Sequence, residues 1–234
     1  MNDKIDLRKR LLGDNAGIWK ISLKSPEGLL FKISLSILAL YLIFLLFGLY
    51  HNNDLFKNLL AMATTNLFFG RAAAMTLGYT LGLQKNLITY FVAFNEMLLV
   101  ILFYPLFVFS IRYILVIPAL EKFTKSIIET AEKYYPLIRK YGPIGIIIFV
   151  WFPFWMTGPV VGSAIGYFMG LSLAVNLLVI FCGNCVAVFF WSAVLYKLHV
   201  RITNINPILP AFVFIAFIVV ILILGFIFQK KQKK

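Results

Sequence analysis

The stretch GYTLGL at residues 78–83 decides the fold, because it recurs as GYFMGL at residues 166–171, at an offset of 88 residues (166 − 78). The same offset pairs Gly70 with Gly158. Each copy is an apolar stretch, interrupted by Gly or Pro, that leads into a long apolar helix. Interrupted segments at matching places in two halves of a membrane protein are the best sequence indication of a transport site. The sequence therefore predicts an internal repeat of the kind found in translocators.

The composition indicates an integral membrane protein. The chain has 234 residues, 62% of them hydrophobic and 13% charged, and its mean hydropathy is +0.92. A soluble domain of this size has no means of burying so much apolar surface, and several apolar runs exceed the ~18 residues that mark a spanning helix. We predict plain spans at about 29–50, 87–117, 173–197 and 208–228, and interrupted segments at about 58–84 and 143–171.

The chain has a net charge of +13, and its basic residues crowd the two ends, with six in residues 1–28 and four in residues 229–234. Both basic ends flank apolar helices, which is how a membrane protein holds cytoplasmic segments against anionic lipid. No basic stripe interleaves with exposed aromatic residues, so nucleic acid is not an expected partner. We predict a basic interfacial segment (1–28), a single membrane domain (29–228) and a basic tail (229–234). Both termini are expected on the cytoplasmic side of the inner membrane.

Basic residues in the linker 118–142 distinguish two topologies. The linker lies outside the cell if each interrupted segment crosses the membrane once, and inside if each segment is a re-entrant hairpin. The positive-inside rule counts Lys and Arg in such short loops and therefore favours the hairpins. The residues that decide this are Lys122, Lys125, Lys133, Arg139 and Lys140.

The predicted fold class is an all-α polytopic membrane protein built on an inverted repeat. Each repeat is a re-entrant hairpin followed by a transmembrane helix, over about 58–117 and about 143–197. Each repeat then crosses the membrane once, so the two copies are inverted. The linker 118–142 is expected to be an amphipathic helix on the cytoplasmic surface. Transmembrane helices at the N-terminal and C-terminal ends flank the repeats.

The first interrupted segment and the helix that follows it each contain an ionisable residue of interest. Arg71 is the basic residue of the first interrupted segment, and Glu96 is the acidic residue of the helix that follows. Ionisable groups within a bilayer are costly and tend to mark a pathway or a proton relay. Arg71 and Glu96 are therefore candidate pathway residues. They could pair, and the alternative is that such a pair only pins the hairpin.

The second interrupted segment has no charge but contains helix-breaking and hydroxyl residues. The turn Thr157-Gly158-Pro159 is expected to free backbone groups that face a substrate. Gly166 and Gly170 are expected to serve close helix packing. Asn184 is expected either in the site or in an interhelical hydrogen bond. The candidate pathway residues of this half are Pro153, Thr157, Gly158, Pro159, Ser163 and Asn184.

The sequence contains no catalytic constellation. No Ser/His/Asp set, metal-ligand cluster or phosphate loop is present, and the two histidines, His51 and His199, are predicted in loops. We therefore expect neither an enzyme nor a cofactor or metal.

Gly, Pro and Thr residues of the second half form a characteristic pattern: KYGPIG at 140–145, then Pro153, Thr157-Gly158, Gly162, Gly170-Leu171 and Gly183-Asn184. The pattern resembles the small multidrug export protein family, and the resemblance spans about residues 60–197. It implies distant kinship with the DedA/VTT superfamily, whose members have paired re-entrant hairpins and several of which are thought to move lipids. In the first hairpin the family often has E-x-R-x-A-x-P, whereas this chain has Phe69, Arg71, Ala73 and Met75.

These observations predict a membrane transporter that moves an amphiphilic substrate through a site between two inverted re-entrant hairpins. A lipid with an anionic head would suit Arg71, and a hydrophobic cation would suit Glu96. The alternative is a non-transporting membrane scaffold or assembly factor. The expected partners are membrane lipids and the substrate, while proton coupling and a homo-oligomer are left open.

Overall fold

The computed structural model describes residues 25–51, 53–111, 140–152 and 158–206, and a few positions between 209 and 219. Those residues contain helices and no strand, which confirms the all-α prediction for that part of the chain. The six helices of the described residues are α1 (Pro26–Tyr50), α2 (Asp54–Thr80), α3 (Lys85–Ile111), α4 (Gly142–Trp151), α5 (Gly158–Phe168) and α6 (Leu173–Ile205).

Three of these helices are long and apolar enough to cross a membrane, namely Pro26–Tyr50, Lys85–Phe109 and Leu173–Ile205. They confirm three of the four predicted spans, and the chain is a membrane protein. The fourth predicted span and both basic ends lie largely outside the described residues, as does the linker.

Helix α6 runs eight residues beyond its predicted end at 197 (205 − 197). No Gly or Pro interrupts residues 184–206, and Pro207 disfavours helical backbone at the residue before it. His199 therefore lies on a helix, and its prediction in a loop is wrong.

Side-chain caps set the starts of the first two helices. The Ser25 hydroxyl accepts a hydrogen bond from the Gly28 amide at 3.0 Å, and Pro26 occupies the first helical position, where its missing N–H costs nothing. Helix α1 consequently begins three residues before the predicted start of the span. The Asn53 side chain caps α2 by accepting from the Leu55 amide at 2.9 Å.

Both interrupted segments are broken at matching positions. Helix α2 is broken at Gly70, whose φ of 80° and ψ of −178° lie in a region that only glycine adopts readily. In the second segment, α4 ends at Trp151 and α5 begins at Gly158, which is the residue paired with Gly70 at the offset of 88.

The two copies of the GYxxGL stretch end their helices in the same way. Gly82 has a φ of 75° and Gly170 a φ of 77°, so each is a left-handed glycine of the kind that terminates helices. A Cβ atom on either glycine would have no neighbour within 4 Å, so the prediction that Gly170 packs helices is wrong. Three backbone hydrogen bonds, each from an amide N–H to a carbonyl oxygen, recur at the offset of 88. In the first copy they run from Leu81 to Leu77, from Gly82 to Tyr79 and from Leu83 to Gly78. In the second copy they run from Met169 to Ile165, from Gly170 to Tyr167 and from Leu171 to Gly166.

Close helix packing is confirmed at Gly166 and is also found at Gly162. A Cβ atom on Gly162 would lie 2.8 Å from Val150 and 3.0 Å from Ile180. A Cβ atom on Gly166 would clash with the side-chain oxygen of Asn176. These glycines admit side chains of α4 and α6 that a larger residue would displace.

The chain divides into two compact units, each assembled from three pieces. The Glu96 unit comprises Leu42–Glu96, Trp151–Gly158 and Asn184–Lys234, and the Ser163 unit comprises Met1–Tyr41, Met97–Val150 and Pro159–Gly183. The core of the Glu96 unit is formed by Met62, Ala74, Met75, Tyr79, Ile88, Val92 and Val188. The core of the Ser163 unit combines α4, α5, the start of α6 and the second half of α3, with Val100, Ile146, Val161, Ile165 and Ile180 fully buried.

A buried polar cluster as the candidate functional site

The two ionisable residues predicted as candidates form a buried ion pair. The Nε atom of Arg71 lies 3.0 Å from Oε1 of Glu96, and the two side chains are only 2% and 8% exposed. Arg71 is the first residue after the break at Gly70, and Glu96 lies on α3, about 17 Å along the helix from its start at Lys85. The break in α2 therefore positions the guanidinium against the next helix.

The ion pair leaves one polar atom of each partner unsatisfied. Arg71 Nη1 and Glu96 Oε2 are buried and make no hydrogen bond with the residues the structure describes. An arginine and a carboxylate can form two parallel hydrogen bonds, and burying a charge costs several kcal/mol unless such bonds offset it. A single bond at this depth leaves donor and acceptor capacity available to a further group.

Two buried amides add to this capacity. The Asn66 side chain faces the Glu96 carboxyl group, but its Nδ2 atom makes no hydrogen bond of ordinary geometry within the described part of the chain. Asn184 donates to the Ala93 carbonyl oxygen at 3.5 Å, one turn of α3 from Glu96, and its Oδ1 atom has no partner there. We call Asn66, Arg71, Glu96 and Asn184 the buried polar cluster. All four belong to the Glu96 unit.

The unsatisfied atoms of the cluster are of both kinds. Arg71 and Asn66 each offer a donor, while Glu96 and Asn184 each offer an acceptor. Buried polar groups in native proteins normally have partners, and those without one call for an explanation such as water, an ion or a ligand. The cluster is chemically suited to a polar or charged group that both accepts and donates hydrogen bonds.

A second polar group lies nearby along the same helices. The Tyr79 hydroxyl donates to the Ser192 carbonyl oxygen at 3.0 Å and lies 2.9 Å from the Ser192 hydroxyl. The Thr89 hydroxyl lies 2.5 Å from that of Ser192 and also donates to the Lys85 carbonyl oxygen. We call Tyr79, Thr89 and Ser192 the hydroxyl cluster. All three are buried, and all belong to the Glu96 unit.

The candidates of the second repeat have other surroundings. Gly158 and Pro159 begin α5 and are buried. The Ser163 hydroxyl donates to the Val160 carbonyl oxygen of its own helix at 2.7 Å, and the Ser163 carbonyl oxygen accepts from the Asn176 amide. These contacts satisfy the hydroxyl of Ser163 within its helix. The predicted candidates Pro153 and Thr157 lie outside the described residues.

Three of the four residues of the buried polar cluster were sequence-predicted candidates, namely Arg71, Glu96 and Asn184, whereas Asn66 was not. Asn66 lies five residues before Arg71 in an apolar segment, and a polar amide at that depth was the available signal. The hydroxyl cluster was also missed, because Tyr79 and Ser192 are 113 residues apart in the chain.

The fold and the site define a class of protein: a membrane protein with apolar spanning helices, two interrupted segments and a buried ion pair on a broken helix. The sequence pattern of the family described as "Putative small multi-drug export protein" matches residues 71–190, just over half of the 234-residue chain. The chain belongs to this family. The matched range includes Arg71, Glu96 and Asn184. No curated protein and no solved structure matches the chain.

Proposed function

We propose that the protein is a transporter that moves an amphiphilic substrate, a lipid or a hydrophobic small molecule, across the cytoplasmic membrane, and that the buried polar cluster is where its polar part binds. The observation that supports this most strongly is the Arg71–Glu96 ion pair with an unsatisfied atom on each partner. Charged side chains inside a membrane protein face its interior and mark substrate or proton pathways. Membership of an export family supports the same function.

The lengths of the helices support the re-entrant arrangement. Helices α4 and α5 have 10 and 11 residues, so each is about 15–17 Å long and too short to cross a ~30 Å hydrocarbon core. The part of α2 after Gly70 is of similar length. We propose that each interrupted segment enters the membrane and returns to its own side, and that the two enter from opposite faces. Both termini would then be cytoplasmic.

The charges of the cluster indicate which polar head it would bind. An anionic head would pair with Arg71, using its free Nη1 and the free amide of Asn66, once Glu96 takes up a proton and releases the guanidinium. A cationic head would instead compete with Arg71 for Glu96. In both cases Glu96 is the group through which transport would couple to protons.

Translocation in proteoliposomes tests this function. Head-group-labelled anionic lipid and a cationic dye gradient are offered to the wild-type chain and to the double variant Arg71→Gln, Glu96→Gln. The matched control is Lys57→Gln, Asp54→Asn, which removes an ion pair of the same 3.0 Å length that is exposed. We expect the double variant to lose about tenfold or more in rate, because one charged hydrogen bond is worth at least that factor. The control should keep the wild-type rate.

The outcomes separate the alternatives. Movement of the anionic lipid alone would identify an anionic head, and movement of the dye alone a cationic one. A double variant as fast as the wild type would contradict the proposed site. If a well-folded wild-type protein moves neither compound, the proposal fails and a scaffold is favoured.

A further inference from the structure

Three residues of the buried polar cluster, one on each of α2, α3 and α6, have an apolar residue one helical turn away. Met75 follows Arg71 on α2, Val92 precedes Glu96 on α3, and Val188 follows Asn184 on α6, each by four residues. Four residues of helix rise about 6 Å. On all three helices the apolar residue lies toward the end at which α2 joins α3.

The three apolar residues form a closed layer. Met75, Val92 and Val188 belong to one core cluster, and each is 0% exposed. A layer without accessible surface separates the buried polar cluster from the next turn of the same helices.

The next turn is polar again. Tyr79 lies four residues beyond Met75, Thr89 three before Val92 and Ser192 four beyond Val188. The hydroxyls of Tyr79 and Thr89 both contact the Ser192 hydroxyl. Tyr79 is one residue from the end of α2, and Thr89 is four residues from the start of α3. The hydroxyl cluster therefore lies near the α2–α3 connection, about 12 Å from Arg71 along the helix.

We propose that Met75, Val92 and Val188 form an apolar gate on the transport path, and that the hydroxyl cluster is the next polar binding site beyond the gate. This inference rests on the proposed function. Apolar constrictions close water-filled paths by dewetting. The polar–apolar–polar order on three helices gives each side of the gate groups that stabilise a polar head. Opening the gate requires only that this layer separate.

The Ser163 unit provides a comparison site. Val108 is also 0% exposed and belongs to the core of the Ser163 unit. It lies on α3 twelve residues beyond Glu96, about 18 Å along the helix. Val188→Ala and Val108→Ala therefore remove the same atoms from equally buried sites, and only Val188 lies one helical turn from a residue of the buried polar cluster.

The gate is tested by cysteine accessibility in membrane vesicles of both orientations. The reporter is Asn66→Cys in a background in which Cys182→Ser and Cys185→Ser replace the two native cysteines. With the gate intact, an impermeant thiol reagent should not reach the reporter from the face of the α2–α3 connection. Val188→Ala should make the reporter react from that face severalfold faster, and Val108→Ala should not. Val188→Thr, with Val108→Thr as its control, repeats the test without a loss of volume.

Two results would overturn the gate: a reporter that reacts from the α2–α3 face in the gate-intact protein, or equal effects of the paired variants at Val188 and Val108. The proposed function can fail separately. In that case the wild-type protein moves no substrate, and the reporter is sealed from both faces. A protein that transports through the buried polar cluster but shows no difference between the paired variants loses only the gate.

Discussion

The ion pair of Arg71 and Glu96 places two opposite charges in a nearly dry environment. Removing one partner of such a pair leaves the other charge buried and uncompensated, which costs about 3–5 kcal/mol. Replacing both partners by well-packed hydrophobic residues of similar volume is often close to neutral, because no buried charge is left without a partner. A pair of this kind therefore affects folding and function together, and single substitutions at either position do not separate the two effects.

We predict that Arg71→Ala destabilises the protein by about 3–5 kcal/mol, because it strands the Glu96 carboxylate. The double variant Arg71→Gln, Glu96→Gln should regain most of that loss. Unfolding in detergent, followed by helical circular dichroism, measures both. Lys57→Ala is the control, since it breaks an exposed pair and should cost no more than about 1 kcal/mol. Additive effects of the two changes at Arg71 and Glu96 would contradict this account.

At the residue scale, the sequence was enough to select Arg71, Glu96 and Asn184. A charge or amide is rare inside an apolar segment, so each is conspicuous in the printed chain. The pairing itself was left open, because it depends on how far the break at Gly70 turns the chain. Ser163 was predicted as a binding group, yet its hydroxyl donates to a carbonyl oxygen of its own helix. The sequence does not show whether a serine hydroxyl bonds to its own backbone or to a substrate.

At the scale of elements, the repeat is expressed in matching turns and matching contacts. Gly78 lies against Ile88 in the first copy. The counterparts of these two residues at the offset of 88 are Gly166 and Asn176, which lie against each other in the second copy. The second contact is the tighter one, because the Asn176 side chain is fully buried and donates to the Ser163 carbonyl oxygen at 2.7 Å.

We predict that Gly166→Ala costs about 1–3 kcal/mol, because its methyl group displaces the Asn176 side chain from a packed site. Adding Asn176→Ala should make the combined loss smaller than the sum of the two single losses. Thermal unfolding of the purified variants measures this coupling. Gly78→Ala with Asn176→Ala is the matched control, and it should be additive because the two share no contact. Additivity in both pairs would show that the Gly166 contact is unimportant.

Element ends were predicted less well than element types. The start of α1 depends on the Ser25 cap, and the end of α6 on Pro207, both of which lie outside the apolar runs that define the spans. Gly170 looked like a packing residue because it continues a G-x-x-x-G series. Its left-handed φ shows that the backbone of the turn, rather than helix packing, requires glycine at this position.

At the scale of the whole molecule, the hairpin topology makes an unambiguous prediction about sidedness. We expect Gln84→Cys, at the exposed α2–α3 connection, to react from outside the cell, and Lys133→Cys, in the linker, to react only from inside. Impermeant thiol labelling of intact and opened cells, with both native cysteines replaced by serine, measures this. If each interrupted segment crosses the membrane once, the two positions exchange sides.

Long-range contacts were beyond the reach of the sequence. Hydrophobic length and periodicity identify spans one at a time, and the internal offset indicates which segments correspond. Neither indicates that Tyr79 contacts Ser192, nor that α3 changes units directly after Glu96. Such contacts depend on how helices pack, and they bring the buried polar cluster and the hydroxyl cluster into one unit.

The most direct test of the central claim, that transport requires a cation at position 71 on the substrate path, is chemical rescue. Arg71→Cys, in the background lacking Cys182 and Cys185, is reconstituted, treated with a cationic or a neutral methanethiosulfonate of similar size, and assayed for translocation. The account predicts that Arg71→Cys is inactive, that both reagents react, and that only the cationic one restores movement. Failure of both reagents to react, or equal activity after either, would contradict it.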